Sequence, residues 1–164
     1  MGLFHQPYTI IDLWSEEEHR LRSMEITSYF LKTTCYQNSK SVHLYDSIWP
    51  EVNTLFILDH IKSSERTSFF PTKDPYQNQK TDVIIVPGRK FDLHMNRKGK
   101  GKGYYDRFLK ETNAIKVGIC FELQLDRQKH LNSKPHDISM DMIITEKGII
   151  SPLTSWFTPW PKMG

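Results

Sequence analysis

The amino-acid sequence predicts an α/β fold in which helices cover both faces of one sheet. Segments with helical spacing of apolar residues alternate along the chain with short apolar runs, of which residues 82–86 (Asp-Val-Ile-Ile-Val) are the clearest. Continuous β-branched runs are typical of strands covered on both faces, as in a parallel sheet. The 164 residues, 38% of them hydrophobic and 25% charged, suffice for one core, so we expect residues 1–164 to form a single domain.

A long helix is predicted near the start of the chain. Ser15 and Glu18 form a capping-box pattern, in which each side chain accepts a hydrogen bond from the backbone N–H of the other residue. Apolar residues then recur at helical spacing, namely Leu21, Met24 and Leu31, with Tyr29 and Phe30 beside them. The pattern predicts a helix over residues 15–33 with these side chains on its apolar face.

The other elements of the first half follow from shorter patterns. Alternation over residues 41–45 predicts a short strand. Pro50 suits the first turn of a helix, because the N–H that proline lacks has no helical partner there, and we expect that helix to run to Lys62. Residues 67–70 are predicted to form a strand, and residues 72–80 a polar loop.

In the second half, apolar runs predict two further buried strands, at residues 115–121 and 142–145. A long loop is expected up to Gly103, followed by a helix over residues 104–111. Residues 151–164 contain three prolines and two tryptophans, and we expect them to form an irregular tail docked on the domain.

Composition excludes several classes of protein. No apolar run approaches the roughly 18 residues that cross a bilayer, and the first residues lack the pattern of a secretory signal, so we expect a cytoplasmic protein that binds no membrane. The two cysteines, Cys35 and Cys120, lie 85 positions apart, which excludes a disulfide framework and a C-x-x-C metal motif.

The positive charge of the chain is concentrated in one segment. Residues 89–110 contain eight basic and two acidic side chains, so this segment carries +6 while the rest of the chain carries −3. Focused positive charge indicates a polyanionic ligand bound at one place rather than a basic surface over the whole domain.

Residues 97–106 (Arg-Lys-Gly-Lys-Gly-Lys-Gly-Tyr-Tyr-Asp) are the most informative stretch. Glycine at every second position lets backbone N–H groups approach a ligand, and the helix that follows presents free N–H groups at its positive end. With the interleaved lysines, this pattern suits a di- or triphosphate. It lacks both the serine or threonine of a Walker A loop and the spacing of the dinucleotide-binding fingerprint. The alternative is a flexible, solvated basic turn.

Three aspartates are candidate Mg²⁺ ligands, because Mg²⁺ on nucleotide phosphates needs only one or two protein carboxylates. Asp106 lies in the first turn of the predicted helix, and Asp137 and Asp141 precede the last buried strand. Each has a simpler alternative. Asp106 would favour the helix dipole or pair with Arg107 or Lys110, and the other two would be solvated turn residues.

The alternating glycines followed by residues 104–107 (Tyr-Tyr-Asp-Arg) closely resemble the signature of the 5-formyltetrahydrofolate cyclo-ligases, also called 5,10-methenyltetrahydrofolate synthetases. Weaker blocks stand in the family's order, and the resemblance covers roughly residues 13–147. These blocks are the strand and loop at residues 82–92, Tyr45 with residues 51–54, residues 121–124 (Phe-Glu-Leu-Gln), and His136-Asp137 with residues 144–146.

The resemblance implies a three-layer α/β/α fold with a mostly parallel sheet, of the sugar-isomerase and CoA-transferase-like type. It also implies an ATP-dependent ligase that closes a reduced folate, 5-formyltetrahydrofolate, to 5,10-methenyltetrahydrofolate with release of ADP and phosphate. The implied cofactors are ATP and Mg²⁺, and the implied step is attack of the formyl oxygen on the γ-phosphate. We expect a monomer that binds no nucleic acid.

Carried over residue by residue, the resemblance also implies a role for each site residue. Arg97, Glu51 and Tyr104 would act in catalysis, with Glu51 hydrogen-bonded to the folate and Tyr104 lining the pocket where pterin and phosphate meet. Asp106 and Asp137 would hold Mg²⁺. The residues implied to bind the nucleotide are Arg97, Gly99, Lys100, Gly101, Lys102, Gly103, Tyr104, Tyr105 and Asp106.

The chain departs from the family pattern in several places. Residues 1–12 contain no lysine or arginine, where the family has basic residues that reach ATP, and only ten residues separate Pro71 from Asp82, where the family has a longer segment that forms the folate wall. Lys98 replaces a usual apolar residue, and Asn53 a usual acid. These departures favour an alternative, a nucleotide-binding relative that has lost turnover. A third hypothesis, a nucleic-acid-binding module, ranks lowest because the −3 outside the basic segment would repel a long polyanion.

Overall fold

The computed structural model of the protein describes residues 10–71, 80–99, 104–131 and 137–152. The helices and strands in these ranges are numbered in chain order, and one further element is a 3₁₀ turn at Glu122–Gln124. They are α1 (Glu16–Leu31), α2 (Thr34–Gln37), β1 (Ser41–His43), α3 (Leu55–Lys62), β2 (Thr67–Phe69), β3 (Val83–Val86), β4 (Lys90–Asp92), β5 (Arg97–Lys98), α4 (Tyr104–Leu109), β6 (Ile115–Ile119), β7 (Leu125–Asp126), β8 (Met142–Thr145) and β9 (Gly148–Ile150).

Six strands form the main sheet, in the order β2-β1-β3-β6-β8-β9. The first five are parallel, and β9 returns antiparallel to β8. Val83 of β3 lies opposite Val42 of β1 on one side and Ile115 of β6 on the other. The predicted α/β fold with a mostly parallel sheet is confirmed.

The core occupies both faces of this sheet. Along β3, Val83 and Ile85 pack into one apolar cluster with residues from α1 and α3, whereas Ile84 and Val86 pack into a second cluster with residues from α4 and β4. Burial on both faces explains why β3 is an uninterrupted apolar run.

The capping box at the start of α1 is confirmed. Glu18 N donates to Ser15 Oγ at 3.1 Å, and Ser15 N donates to the Glu18 carboxylate at 2.9 Å. The apolar residues predicted for this helix are only partly buried: Phe30 is fully buried and Tyr29 and Leu31 pack on the core, but Leu21 and Met24 are 49% and 41% exposed. The other side chains that α1 buries are His19, Ser23, Ile26 and Thr27.

Pro50 does not begin a helix. It lies in a turn closed by Glu51 N, which donates to Ile48 O at 2.8 Å, and α3 begins only at Leu55. The strands predicted at residues 67–70 and 115–121 are present but end earlier, at Phe69 and Ile119.

A second, three-stranded sheet occupies part of the region predicted as a long loop. Its order is β5-β4-β7, with β4 antiparallel to β5 and parallel to β7. β9 was also not predicted. The predicted loop at residues 72–80 and the tail after Pro152 fall almost wholly outside the described residues. Among the described helices, none is long and apolar enough to cross a membrane.

Candidate functional site

The candidate site lies at the carboxyl ends of the parallel strands. The turn at residues 87–89 follows β3, and the loop at residues 44–54 follows its neighbour β1, so both emerge at the same edge of the sheet. Open parallel sheets bind ligands in the crevice outside this edge. Most of the described residues predicted to contact the nucleotide or the folate lie on segments that begin here.

Arg97 is the buried cation of the site. Its side chain is only 5% exposed, and Nη1 donates to Pro87 O at 2.8 Å. The guanidinium carbon lies 5.4 Å from the centre of the Tyr105 ring. Within the described residues, Nε is buried without a hydrogen-bond partner. A buried guanidinium with an unused N–H suits an oxyanion ligand, because arginine binds carboxylate and phosphate oxygens through several N–H groups.

One carboxylate lies against this guanidinium, and the charge of a second one acts on it. Asp106 Oδ1 lies 3.8 Å from Arg97 Nη2, in the first turn of α4. Burial lowers the pKa of Arg97 from its usual value, and the negative charges of Asp106 and Asp137 oppose that shift. Asp137 is brought near because Met140 N donates to Met95 O at 2.8 Å, which docks its segment on the β4–β5 turn.

The two carboxylates fit a magnesium ion that is also bound by phosphate oxygens, since Mg²⁺ uses few protein ligands in such sites. They do not make a metal site by themselves. Within the described residues, no three His, Cys, Asp or Glu side chains are grouped to hold a metal ion. Asp141, the third candidate, has another role, because its Oδ2 accepts a hydrogen bond from Lys116 N at 2.8 Å.

Two glycines allow the backbone to pass close to Arg97. A Cβ at Gly99 would lie 2.8 Å from Arg97 Nη1, and a Cβ at Gly88 would lie 3.0 Å from Arg97 Cγ and 2.8 Å from Phe91 Cζ. These glycines therefore permit a close approach to Arg97, and the approach of Gly99 to a ligand stays a prediction. Lys100, Gly101, Lys102, Gly103 and the side chain of Tyr104 lie outside the described part of the site.

Sequence reasoning missed the buried carboxylate that shapes this region. Asp92 is fully buried at the end of β4, and it accepts hydrogen bonds from the backbone N–H groups of His94, Asn96 and Leu131 at 2.7–3.0 Å and from the Asn96 side chain at 3.1 Å. It holds the β4–β5 turn to the segment after β7. A signal was available, because Asp92 ends one of the blocks that resemble the family.

Glu51 lies in the loop after β1, in a turn rather than at the start of a helix. Its side chain Oε2 accepts a hydrogen bond from Ile48 N at 3.0 Å. Two further bonds close this loop, from Tyr45 Oη to Val52 O at 3.0 Å and from Thr54 Oγ1 to Tyr45 O at 2.9 Å. Glu51 is therefore held in a rigid loop, and it is buried.

α1 fixes this loop through a histidine that the sequence did not single out. His19 Nε2 lies 2.9 Å from Glu51 O, and the His19 ring stacks on Trp49 with 4.3 Å between ring centres. Phe121, just after β6, packs edge-on against both His19 and Trp14, at 5.1 Å and 4.9 Å. These rings connect the Glu51 loop to the carboxyl end of β6.

The predicted site residues thus fall into two groups. Arg97, Tyr105, Asp106 and Asp137 lie together near the turn after β3, as predicted for a phosphate site. Glu51 lies on the neighbouring loop. Within the described residues, Asp106 forms its ion pair with Arg97, and not with Arg107 or Lys110, the partners that the sequence spacing suggested.

Comparisons with known proteins agree with this geometry. Residues 71–146 match the sequence model described as the 5-formyltetrahydrofolate cyclo-ligase family. A 5-formyltetrahydrofolate cyclo-ligase of Mus musculus is 26% identical over 80% of this chain and 86% of its own length. One from Mycoplasma genitalium is 32% identical over 64% of this chain and 72% of its own.

Solved structures give the same result. The NMR structure of Aquifex aeolicus 5,10-methenyltetrahydrofolate synthetase superimposes with a TM-score of 0.79 at 27% identity, over 92% of this chain and 91% of that one. The fold, the signature around Arg97 and these relatives together show that the chain belongs to the 5-formyltetrahydrofolate cyclo-ligase family of enzymes.

Proposed function

We propose that this protein catalyses the ATP- and Mg²⁺-dependent cyclisation of 5-formyltetrahydrofolate to 5,10-methenyltetrahydrofolate, with release of ADP and phosphate. The observation that carries the proposal is Arg97, a buried guanidinium that lies close to Gly99, pairs with Asp106 and is influenced by the charge of Asp137. Phosphoryl transfer depends mainly on positioning and charge neutralisation, which such a group provides.

In this proposal Arg97 and the basic glycine-rich segment hold the phosphates of ATP, and Asp106 and Asp137 hold Mg²⁺. MgATP would supply the phosphoryl group that makes the formyl oxygen a leaving group. Glu51 hydrogen-bonds the folate near its reacting nitrogen, and the hydrogen-bonded loop around Glu51 keeps that carboxylate in place. Tyr104 lines the pocket between the two substrates.

The nucleotide part of the proposal is tested by thermal stability. A ligand that binds only the folded state at 100 times its Kd adds about 2.7 kcal/mol of stability. We expect MgATP to raise Tm and ATP with excess chelator to raise it less. Arg97→Lys keeps the charge but cannot donate to Pro87 O and to a phosphate at the same time through a planar guanidinium, so it should reduce the rise in Tm with MgATP. Arg20→Lys, at an exposed position of α1, should leave that rise unchanged. Equal shifts in wild type and Arg97→Lys would remove Arg97 from the phosphate site.

A second candidate is a nucleotide-binding relative that has lost turnover. It is favoured by the absence of lysine and arginine from residues 1–12 and by the ten-residue interval between Pro71 and Asp82. The two candidates differ in one result. Both predict stabilisation by MgATP, but only the enzyme converts 5-formyltetrahydrofolate.

A further inference from the structure

The turn after β3 has its three consecutive carbonyl groups bound by two side chains. Pro87 O accepts from Arg97 Nη1 at 2.8 Å. Gly88 O and Arg89 O accept from Gln124 Nε2 at 3.0 Å and 3.2 Å. Gln124 reaches this turn from the 3₁₀ turn after β6, so its amide joins two adjacent parallel strands at their carboxyl ends.

The Gln124 amide is fully engaged and has one possible orientation. It is only 3% exposed, and its Oε1 accepts from Phe121 N at 2.9 Å. Exchanging the amide O and N would place an oxygen against two carbonyl oxygens and a donor against an N–H group. Both hydrogens of the NH₂ group and the carbonyl oxygen are therefore committed, which is the condition for a buried amide to contribute rigidity.

The position of the turn determines the position of Arg97. Arg97 Nη1 is bound to Pro87 O, and Arg89 N donates to Lys98 O at 2.7 Å, so the turn and β5 are held together at two points. A shift of the turn would move Arg97 relative to Asp106. Gln124 reaches the Glu51 loop only indirectly: its Oε1 binds Phe121 N, and the Phe121 ring packs on His19, whose Nε2 lies beside Glu51 O.

We propose that Gln124 is a positioning residue, which holds the turn at residues 87–89 so that Arg97 is presented to the nucleotide phosphates. This inference rests on the proposed function, since it takes Arg97 as the phosphate-binding group. It assigns a role to the last residue of the Phe-Glu-Leu-Gln block, for which the sequence analysis predicted no chemical role.

The test uses Gln124→Glu, with Gln128→Glu as the control because Gln128 is exposed on the same segment. The introduced carboxylate can still accept from Phe121 N but cannot donate to the turn. Losing these bonds should weaken MgATP about tenfold, in Kd by calorimetry and in KM, with the KM for 5-formyltetrahydrofolate unchanged. Because a protonated carboxyl regains one donor, MgATP affinity relative to the control should recover as pH falls. A merely structural role would instead weaken the binding of both substrates together, so the selective loss for MgATP is the result that discriminates.

Gln124→Met, which keeps the volume but has no donor or acceptor, should show the same selective loss without recovery in acid. If wild type binds MgATP and Gln124→Glu binds it equally well, the inference is wrong and the proposed function stands. If wild type does not bind MgATP, both are wrong. Three results would overturn the positioning role and assign Gln124 to the fold alone. They are equally weakened binding of both substrates, no recovery of MgATP affinity in acid for Gln124→Glu, and loss of the fold in both variants.

Discussion

The buried histidine on β1 should make the stability of this protein depend on pH, and one substitution should remove that dependence. His43 is fully buried between β2 and β3, where it lies opposite Phe69 and Ile84, and its ring packs on Phe108 of α4 at 4.8 Å. Within the described residues neither ring nitrogen makes a hydrogen bond. Burial lowers the pKa of His43 from 6.5 to about 4, and the nearby Phe70 backbone opposes this only in part, without a bond of normal geometry.

The sign follows from proton binding. As pH falls below 6.5 the unfolded chain protonates His43, whereas the folded protein does so only near pH 4, so the folded state loses stability across this window. The pKa difference corresponds to about 3 kcal/mol in total. His43→Leu removes the titrating group and two unpaired buried nitrogens at similar volume. We expect the variant to be at least as stable at neutral pH, and its advantage over wild type to grow by about 2 kcal/mol as pH falls from about 7 to about 4.5.

The assay is urea unfolding of wild type, His43→Leu and an exposed-site control, His130→Leu, at a series of values from about pH 7 to about pH 4.5. At each pH the wild-type free energy of unfolding is subtracted from that of the variant, so that the contributions of the histidines and carboxylates common to both proteins cancel. The difference for His43→Leu should rise as pH falls, and that for His130→Leu should stay much flatter. Parallel curves for wild type and His43→Leu would refute the assignment of His43 as a neutral buried base.

Other predictions concern the site and the small sheet. Asp106→Asn should raise the Mg²⁺ concentration needed for activity while leaving metal-free ATP binding unchanged or stronger; superimposable Mg²⁺ titrations would exclude the metal role. Gly118→Ala places a Cβ 2.5 Å from Phe91 Cε1, so the overpacking should lower the free energy of unfolding by about 1–3 kcal/mol, and an unchanged urea midpoint would contradict it. Asp92→Asn leaves donors facing an NH₂ group and should cost about 2–5 kcal/mol, measured in the same way; a cost below that range would mean that the donors find other partners.

The sequence predicted those elements whose structure depends on neighbouring residues alone. The capping box at Ser15 and Glu18 and the β-branched run of β3 both specify structure within a few residues, and both are observed. The small sheet could not be predicted in this way. β4, β5 and β7 have two or three residues each, and they exist because Phe91 pairs with Arg97 and with the distant Leu125. Such pairing leaves no periodic pattern in the sequence.

The buried face of α1 was missed for a different reason. Ser23 and Thr27 are polar residues, but each hydroxyl makes a hydrogen bond with a backbone group. Thr27 Oγ1 donates to Ser23 O, and Ser23 Oγ accepts from Asn53 N. A hydrogen-bonded hydroxyl is buried at little cost, so apolar periodicity alone placed Leu21 and Met24 on the buried face and missed Ser23 and Thr27. The same applies to the site, where the amide of Gln124 and the ring of His19 act through backbone groups far along the chain.

The group of residues around Arg97 was predicted in outline from residue types. Alternating glycines, basic residues and an acid in the first helical turn identified Arg97, Gly99 and Asp106 from sequence alone. The Arg97–Asp106 pairing was not predicted, because the two residues are nine positions apart and lie on different elements, β5 and α4. Spacing rules for helices favoured Lys110 instead.

The measurement that bears most directly on function is conversion of 5-formyltetrahydrofolate by the purified protein, followed by the near-ultraviolet absorbance of 5,10-methenyltetrahydrofolate together with ADP release. The proposed activity predicts product formation that requires ATP, is abolished by a magnesium chelator, yields one ADP per product, and falls in Arg97→Lys but not in Arg20→Lys. Tight MgATP binding without product at any folate concentration would contradict it and identify the chain as a nucleotide-binding relative without turnover.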